Sequence, residues 1–298
     1  MENKKIEAVV SKCKKKWGID SKTANLMNLV DSWFDNIDQN DREIYLRLLD
    51  NFNYYTKESE GKYAKFVVKK IKEIDPLISE SIIVPLLKQE EGISGAYKLV
   101  RSIQIAGGLN TALCPTSLAT FEEEFDLNYI RNIIIVDDIA GTGNTLVKNF
   151  NYMKNKYPNF FIDKNIYLTC LVTTKIAKSE IKKNLKNDYT RYWTYHFIKK
   201  SFDENNIFKG DRCIYAKEKV KKYELKLSNS GHSDIFGYKQ SEILVAFSDN
   251  TPNNTLLSFW KEKDKWNPIF PRAKTTSCPA WVKNKKNAIS LIKKSMNP

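Results

Sequence analysis

Apolar residues recur at three- and four-residue steps through the first quarter of the chain. Leu26, Leu29, Val30, Trp33 and Phe34 make one stripe, and Ile44, Leu48, Leu49 and Phe52 another. That period predicts amphipathic helices, with Asp20 and Ser21, and the polar stretch from Asp38 to Asp41, as their starts. The Lys-Glu pattern from Ser59 to Glu73 predicts a further helix, and Pro76 closes the region. Residues 1–77 therefore read as a helical N-terminal region, a bundle or cap with no catalytic motif of its own.

From Ser79 the pattern changes to short, continuous apolar runs. Ser81 to Leu87 predicts a buried strand, Lys88 to Gly95 a polar turn, and Ala96 to Ser102 a helix. A long irregular stretch follows from Gly107 to Asp126. Strands are then predicted over Ile133–Val136, Ile166–Thr173 and Tyr192–Ile198, with helices over Leu146–Tyr157 and Ile176–Leu185 between them. A later strand covers Glu242–Phe247, and Ser248 to Asn254 forms a turn rich in Asn, Asp and Pro. Strands alternating with helices imply an α/β domain with a mostly parallel sheet covered on both faces. We assign it residues 78–298, including a basic C-terminal tail at 261–298. No internal repeat is visible.

Composition adds limits. The chain has 298 residues, 42% hydrophobic and 28% charged, which is globular rather than disordered. Its apolar runs fall well short of the roughly 20 residues a membrane span needs, and MENKKIEAVV has no long apolar h-region. A cytoplasmic protein with no membrane partner is expected. The five scattered cysteines form no CxxC and predict neither disulfides nor a zinc site.

The net charge of +14 is unevenly placed. Residues 164–226 carry +9 and residues 261–298 carry +8, while the rest is near neutral. Such blocks attract phosphates, nucleic acid or an acidic partner. They are equally the mark of a solvated, Lys-rich surface. In the C-terminal block Trp260, Trp266, Phe270 and Trp281 stand among the lysines. They are read either as stacking faces for a nucleic acid or as buried core.

The most informative stretch is RNIIIVDDIAGTGNT, Arg131 to Thr145. A buried strand that runs into Asp137 and Asp138 places them at the carboxyl edge of a parallel sheet, where such folds bind ligands. Gly141 and Gly143 let the backbone turn tightly. The helix behind them offers free N–H groups and the positive end of its dipole, a setting that favours phosphate. Thr142 and Thr145 add hydroxyl donors. Carboxylates pointed at a phosphate would repel it. Placed beside it, they accept hydrogen bonds from sugar hydroxyls. The stretch thus reads as a receptor for a ribose 5-phosphate group. It is neither a Walker A loop nor a dinucleotide fingerprint, since neither Gly-Lys-Ser/Thr nor GxGxxG occurs.

IIIVDDIAGTGNT resembles the 5-phosphoribosyl-1-pyrophosphate (PRPP) motif of type I phosphoribosyltransferases. The resemblance implies that fold, with Asp137 and Asp138 on the ribose hydroxyls and Gly141, Thr142, Gly143, Asn144 and Thr145 on the 5-phosphate. Two departures stand out: Gly141 replaces a commoner Ala, Thr or Ser, and Asn144 replaces a commoner Gly. The spelling is more similar to the divergent phosphoribosyltransferase-like proteins of bacterial conflict and anti-phage systems, some of them retron-associated. The helical N-terminal part and the segments TPNNTLLSFW and PIFPR, Thr251 to Trp260 and Pro268 to Arg272, are similar to that group too.

The resemblance further implies a pyrophosphate loop after the first sheet strand. Lys88, Ser94 and Gly95 are its candidates, with Arg101 one helix further on and Mg2+ carried with the substrate, touching Asp137 and Asp138. Residues 107–126 stand where the family carries a mobile closing loop, yet they contain no Lys or Arg. The expected C-terminal hood contains the Pro-Asn-Asn-Thr turn and Asp249, read either as part of an acceptor pocket or as a structural corner. His196 reads as a packed or edge histidine rather than a base, and the placement of His232 stays open. Three functions remain: a transferase acting on PRPP or a nucleoside 5-phosphate in a defence system, a nucleotide- or nucleic-acid-binding module, and a nucleotide or PRPP hydrolase.

Overall fold

The computed structural model describes residues 2–88, 94–228 and 234–272. Its strands, in chain order, are β1 (Asn53–Tyr55), β2 (Ser81–Pro85), β3 (Asn132–Ala140), β4 (Asn165–Thr174), β5 (Arg191–Ile198) and β6 (Val245–Phe247). Strands β2, β3, β4 and β5 lie side by side in that order, all parallel. The helices are α1 (Glu2–Trp17), α2 (Ser21–Ala24), α3 (Leu26–Phe34), α4 (Arg42–Asp50), α5 (Lys57–Lys72), α6 (Gly95–Gly107), α7 (Leu118–Glu124), α8 (Asn144–Lys156), α9 (Lys175–Asn184), α10 (Asp211–Leu227) and α11 (Leu257–Trp260). The fold is the expected α/β class, a parallel sheet flanked by helices.

Alternation along each strand sends successive side chains to opposite faces. Ile83, Ile134 and Val136 pack with Val67 and Ile71 of α5 and with Leu99 and Ile103 of α6. Ile82, Val84, Ile133 and Ile135 pack with Leu146, Phe150 and Met153 of α8 and with Ile181 of α9. The continuous apolar runs of the sequence follow from this double burial.

A second core joins the two ends of the chain. Trp17, Val30, Trp33, Tyr45 and Phe52 pack with Tyr223, Leu257, Phe259, Trp266 and Phe270. The indole N–H groups of Trp33 and Trp266 both donate to the Ser258 carbonyl, at 2.8 and 3.0 Å. Fully buried Glu224 accepts from the backbone N–H groups of Leu257 and Ser258, at 2.9 and 2.8 Å, fixing α10 to the start of α11. The β1–β6 pair joins the two cores: Tyr54 and Ala246 point into this one, Tyr55, Val245 and Phe247 into the sheet's.

The structure departs from the sequence pattern in three places. Strand β1 lies inside the region expected to be helical and pairs with β6, nearly two hundred residues away. The stretch 107–126 contains a short 3-10 turn, Thr111–Leu113, and α7, whose Leu118 and Phe121 are buried against the sheet. Helix α10 occupies a segment for which no element was predicted. Of the two readings of Trp266 and Phe270, buried core is the one the structure bears out. Burying such a ring is worth about 1.5–3 kcal/mol, and the N-terminal helices need these rings to close their core. Trp281, Cys278, His232 and the tail beyond Arg272 lie outside the described residues. Cys13, Cys114, Cys170 and Cys213 are unpaired thiols. No described helix is long and apolar enough to cross a membrane.

Candidate functional site

The aspartate pair sits where one strand outruns its neighbour. Strand β2 pairs with β3 only as far as Pro85, opposite Val136. Strand β3 continues beside β4 alone, with Asp137 opposite Cys170 and Ala140 opposite Thr173. Asp137 and Asp138 are therefore held in regular strand, rather than in a turn after it, and their β2 side is open. The Asp138 N–H donates to Asp137 Oδ1 at 3.0 Å, and the Ile139 N–H to Asp138 Oδ1 at 2.8 Å.

Both carboxyls titrate above the usual carboxylate range. Burial is the main cause for each. The charge of Asp138 pushes Asp137 higher still, while Lys88 pulls both down and Lys98 pulls down Asp138. A pair so placed gains from any ligand that brings hydroxyl donors or a cation.

Two helices start beside the pair. Helix α8 begins at Asn144, and its N-cap Gly143 has φ +83 and no side chain to satisfy the first N–H groups. A Cβ at Gly143 would also lie 2.9 Å from the Ala177 carbonyl oxygen. The Thr174 hydroxyl donates to the Gly141 carbonyl at 2.5 Å, and Asn144 Nδ2 donates to Thr142 Oγ1 at 3.2 Å, so the loop is braced from below. A cavity of about 610 Å³ opens over it. Asp137, Asp138, Gly141, Thr142, Gly143 and Thr145 line its floor. Lys88 is also at its wall, and Asn253, Asn254 and Arg272 complete it from the hood.

Helix α6 begins at Gly95, whose missing Cβ would sit 2.2 Å from Asp138 Oδ2. Its N-cap is Ser94, only 6% exposed, with a hydroxyl that has no hydrogen-bond partner among the described residues. An adjoining cavity of about 320 Å³ lies here, lined by Ser94, Gly95, Lys98, Asp138, Asp249 and Asn250 among others. Lys98 Nζ is already engaged, at 2.7 Å from both Glu60 Oε1 and Asp249 Oδ1, and lies over the Phe247 ring.

The sequence candidates are thus brought together with one exception. Asp137, Asp138, the 141–145 loop, Lys88, Ser94 and Gly95 converge on one edge of the sheet. Arg101 donates instead to Gln104 Oε1 and lines a separate cavity of about 570 Å³, between α6 and residues 111–125. His196 bonds Tyr55 through Nδ1 at 2.9 Å, away from the site. Lys98 and Arg272 had no assigned role in the sequence, and Asn254 was read only as part of a hood turn, never as a phosphate contact. Only the hood turn and the PIFPR segment pointed towards Asn254 and Arg272.

No group of three or more metal-ligating side chains occurs among the described residues. The pair alone fits a Mg2+ ion that takes its remaining oxygens from substrate and water, the usual mode for that ion.

The chain matches the PRTase-CE family over residues 30–272. No curated protein matches it. Among solved structures it is similar to Helicobacter pylori Xanthine-Guanine-Hypoxanthine Phosphoribosyltransferase, with 16% identity and a TM-score of 0.30 over 49% of this chain and 89% of that one.

Proposed function

The chain belongs to the PRTase-CE family, phosphoribosyltransferase-like proteins of conflict systems, and from that premise we propose that it binds PRPP or a nucleoside 5-phosphate as an effector of a bacterial defence system. The observation that carries this reading is the uncapped start of α8 beside an open carboxylate pair. The loop and the helix N-terminus take the 5-phosphate, and Asp137 and Asp138 take the ribose diol. Ser94 and the start of α6 take the second anion of PRPP. When bound, Mg2+ neutralises the pyrophosphate. Cleavage at C1 develops positive charge on the sugar, which the adjacent carboxylates stabilise more in the transition state than in the ground state.

Calorimetry with PRPP, ribose 5-phosphate and AMP, with and without Mg2+, tests the reading. Ribose 5-phosphate is expected to bind without the ion, and PRPP to bind more tightly with it. Failure of all three to bind removes the reading. One observation favours a second reading, a ribose-phosphate-binding module without transfer chemistry. Lys98, the cation that lines the same cavity as Ser94, is held by two carboxylates and is not free for a leaving pyrophosphate. Absence of pyrophosphate release in the presence of tight PRPP binding would select it. Release of free ribose 5-phosphate with pyrophosphate would instead mark water as the acceptor. The basic blocks are assigned to a nucleic acid or a nucleic-acid-containing complex. Affinity for single-stranded RNA or DNA that falls steeply with salt checks that assignment.

A further inference from the structure

We propose that Asn254 and Arg272, from the far end of the described chain, complete the 5-phosphate subsite, so that the ligand clamps the hood onto the sheet. This rests on the ribose-phosphate reading and adds a second wall to it.

The first observation concerns Gly141, where the resembling family carries a small side chain. Here an added Cβ would lie 2.5 Å from Asn254 Nδ2 and 2.6 Å from its Cγ. The space vacated in the loop is occupied by a carboxamide from the hood. That carboxamide has no hydrogen-bond partner among the described residues, although its backbone is tightly held. The Asn254 carbonyl accepts from Ser241 Oγ at 2.7 Å, and the Tyr238 N–H donates to the Asn253 carbonyl at 2.8 Å. Gly237, with φ +80, lets the chain come this close, since a Cβ there would meet the Asn254 carbonyl oxygen at 2.1 Å. A pinned residue with a free amide donor, pressed on a phosphate loop, is placed to donate to a phosphate oxygen.

The second observation is charge. Asp137 and Asp138 border the cavity, and a phosphate monoester adds nearly two further negative charges. The cations at its wall are Lys88 and Arg272. Neither forms an ion pair among the described residues. Arg272 is anchored through Phe270, whose ring is stacked on Phe52 at 4.6 Å and whose carbonyl accepts from Thr251 Oγ1 at 2.7 Å. Its guanidinium lies over the Trp260 ring at 5.1 Å, which fixes its direction without consuming its charge.

The test uses the full chain and two probes, ribose 5-phosphate and inorganic phosphate, read by calorimetry. Asn254→Ala and Arg272→Gln are each expected to weaken ribose 5-phosphate about tenfold, the loss of one hydrogen bond to a charged group. Asn254→Asp is expected to weaken it further, because it sets a carboxylate against the phosphate. A size swap separates binding from folding. Gly141→Ala displaces the carboxamide and weakens the ligand. Gly141→Ala with Asn254→Gly relieves the crowding and restores the melting temperature, but not the affinity. If the wild-type protein binds ribose 5-phosphate and all these variants bind it within twofold, the clamp is overturned while the ribose-phosphate reading stands. If the wild-type protein binds neither ribose 5-phosphate, PRPP nor AMP, both fail.

Discussion

Helices α6 and α8 start at the same edge of the same sheet, on either side of Asp138, yet they are prepared for an anion to different degrees. At α8 the cap is a glycine, the loop is braced from below, and Lys88 and Arg272 hold no ion-pair partner among the described residues. At α6 the cap is a buried serine whose hydroxyl has no partner among the described residues, and the nearby Lys98 is shared between Glu60 and Asp249. One end is preorganised. The other must exchange a partner or receive a metal ion before it can hold a diphosphate. Preorganisation lowers the cost of binding, so the two ends are expected to respond differently to substitution.

The largest effect is expected at the point the two ends share. Asp137→Asn and Asp138→Asn should each lower turnover of PRPP, or any toxicity it causes, by on the order of a hundredfold or more, the scale of removing one charge-stabilising group from an active site. Stability should move the other way. Both carboxyls have folded pKa values raised above their unfolded value, chiefly by burial. They bind more protons in the folded state, so stability is higher in acid and falls as pH rises through the raised values. Either asparagine variant should therefore melt higher than the wild-type protein at pH 7, with a flatter profile as pH rises above the ordinary carboxylate range. Melting below the wild-type protein at pH 7 would contradict the burial argument.

Two glycines then separate the ends. Gly143→Ala forces a side chain into a left-handed conformation and against the Ala177 carbonyl, a cost of about 1–2 kcal/mol. It should weaken inorganic phosphate about tenfold. Gly95→Ala drives a methyl group onto Asp138 Oδ2. It should impair Mg2+-dependent PRPP binding while leaving inorganic phosphate within twofold. Equal losses from both variants would show that phosphate does not favour the α8 end.

Asp249→Asn should produce a smaller change, and a gain. It removes one of two carboxylates from Lys98, which stays tied to Glu60. Pyrophosphate affinity, measured by calorimetry without metal, should rise about threefold to fivefold, in line with the roughly 1 kcal/mol of a partly exposed ion pair. An unchanged affinity would mean that Lys98 does not face the anion, and the contrast between the ends would lose its main support.

The α8 end was legible in the sequence because its parts are contiguous. Strand, acids, glycines and helix start fall within Ile133 to Leu146, and local pattern is enough to order them. Strand β3 still proved longer than its apolar run, because pairing with β4 carries it through the aspartates. The wall formed by Asn254 and Arg272 was not legible, since it depends on how the hood packs and no local period encodes that. Strand β1 was hidden for the same reason: three residues, Asn53–Tyr55, take their conformation from a partner at Val245–Phe247. Trp266 and Phe270 show the ambiguity of aromatic residues among lysines, a pattern that suits a stacking face and a core equally well.

The smallest effect is expected from Arg101→Gln. One helix beyond the pyrophosphate loop, this residue is near enough in sequence to serve the α6 end. Its guanidinium instead donates to Gln104, and it lines the cavity beside Pro85, Tyr97, Cys114 and Phe121. That space lies under residues 111–125, which contain neither Lys nor Arg and are anchored by Leu118 and Phe121. Removing a cation from a neighbouring, solvent-connected cavity changes the field at the site only through screened, longer-range interaction. Ribose 5-phosphate and inorganic phosphate should bind within twofold of the wild-type protein, and Mg2+-PRPP within about threefold. A tenfold loss confined to PRPP would join this cavity to the α6 end, and that end would then have a free cation after all.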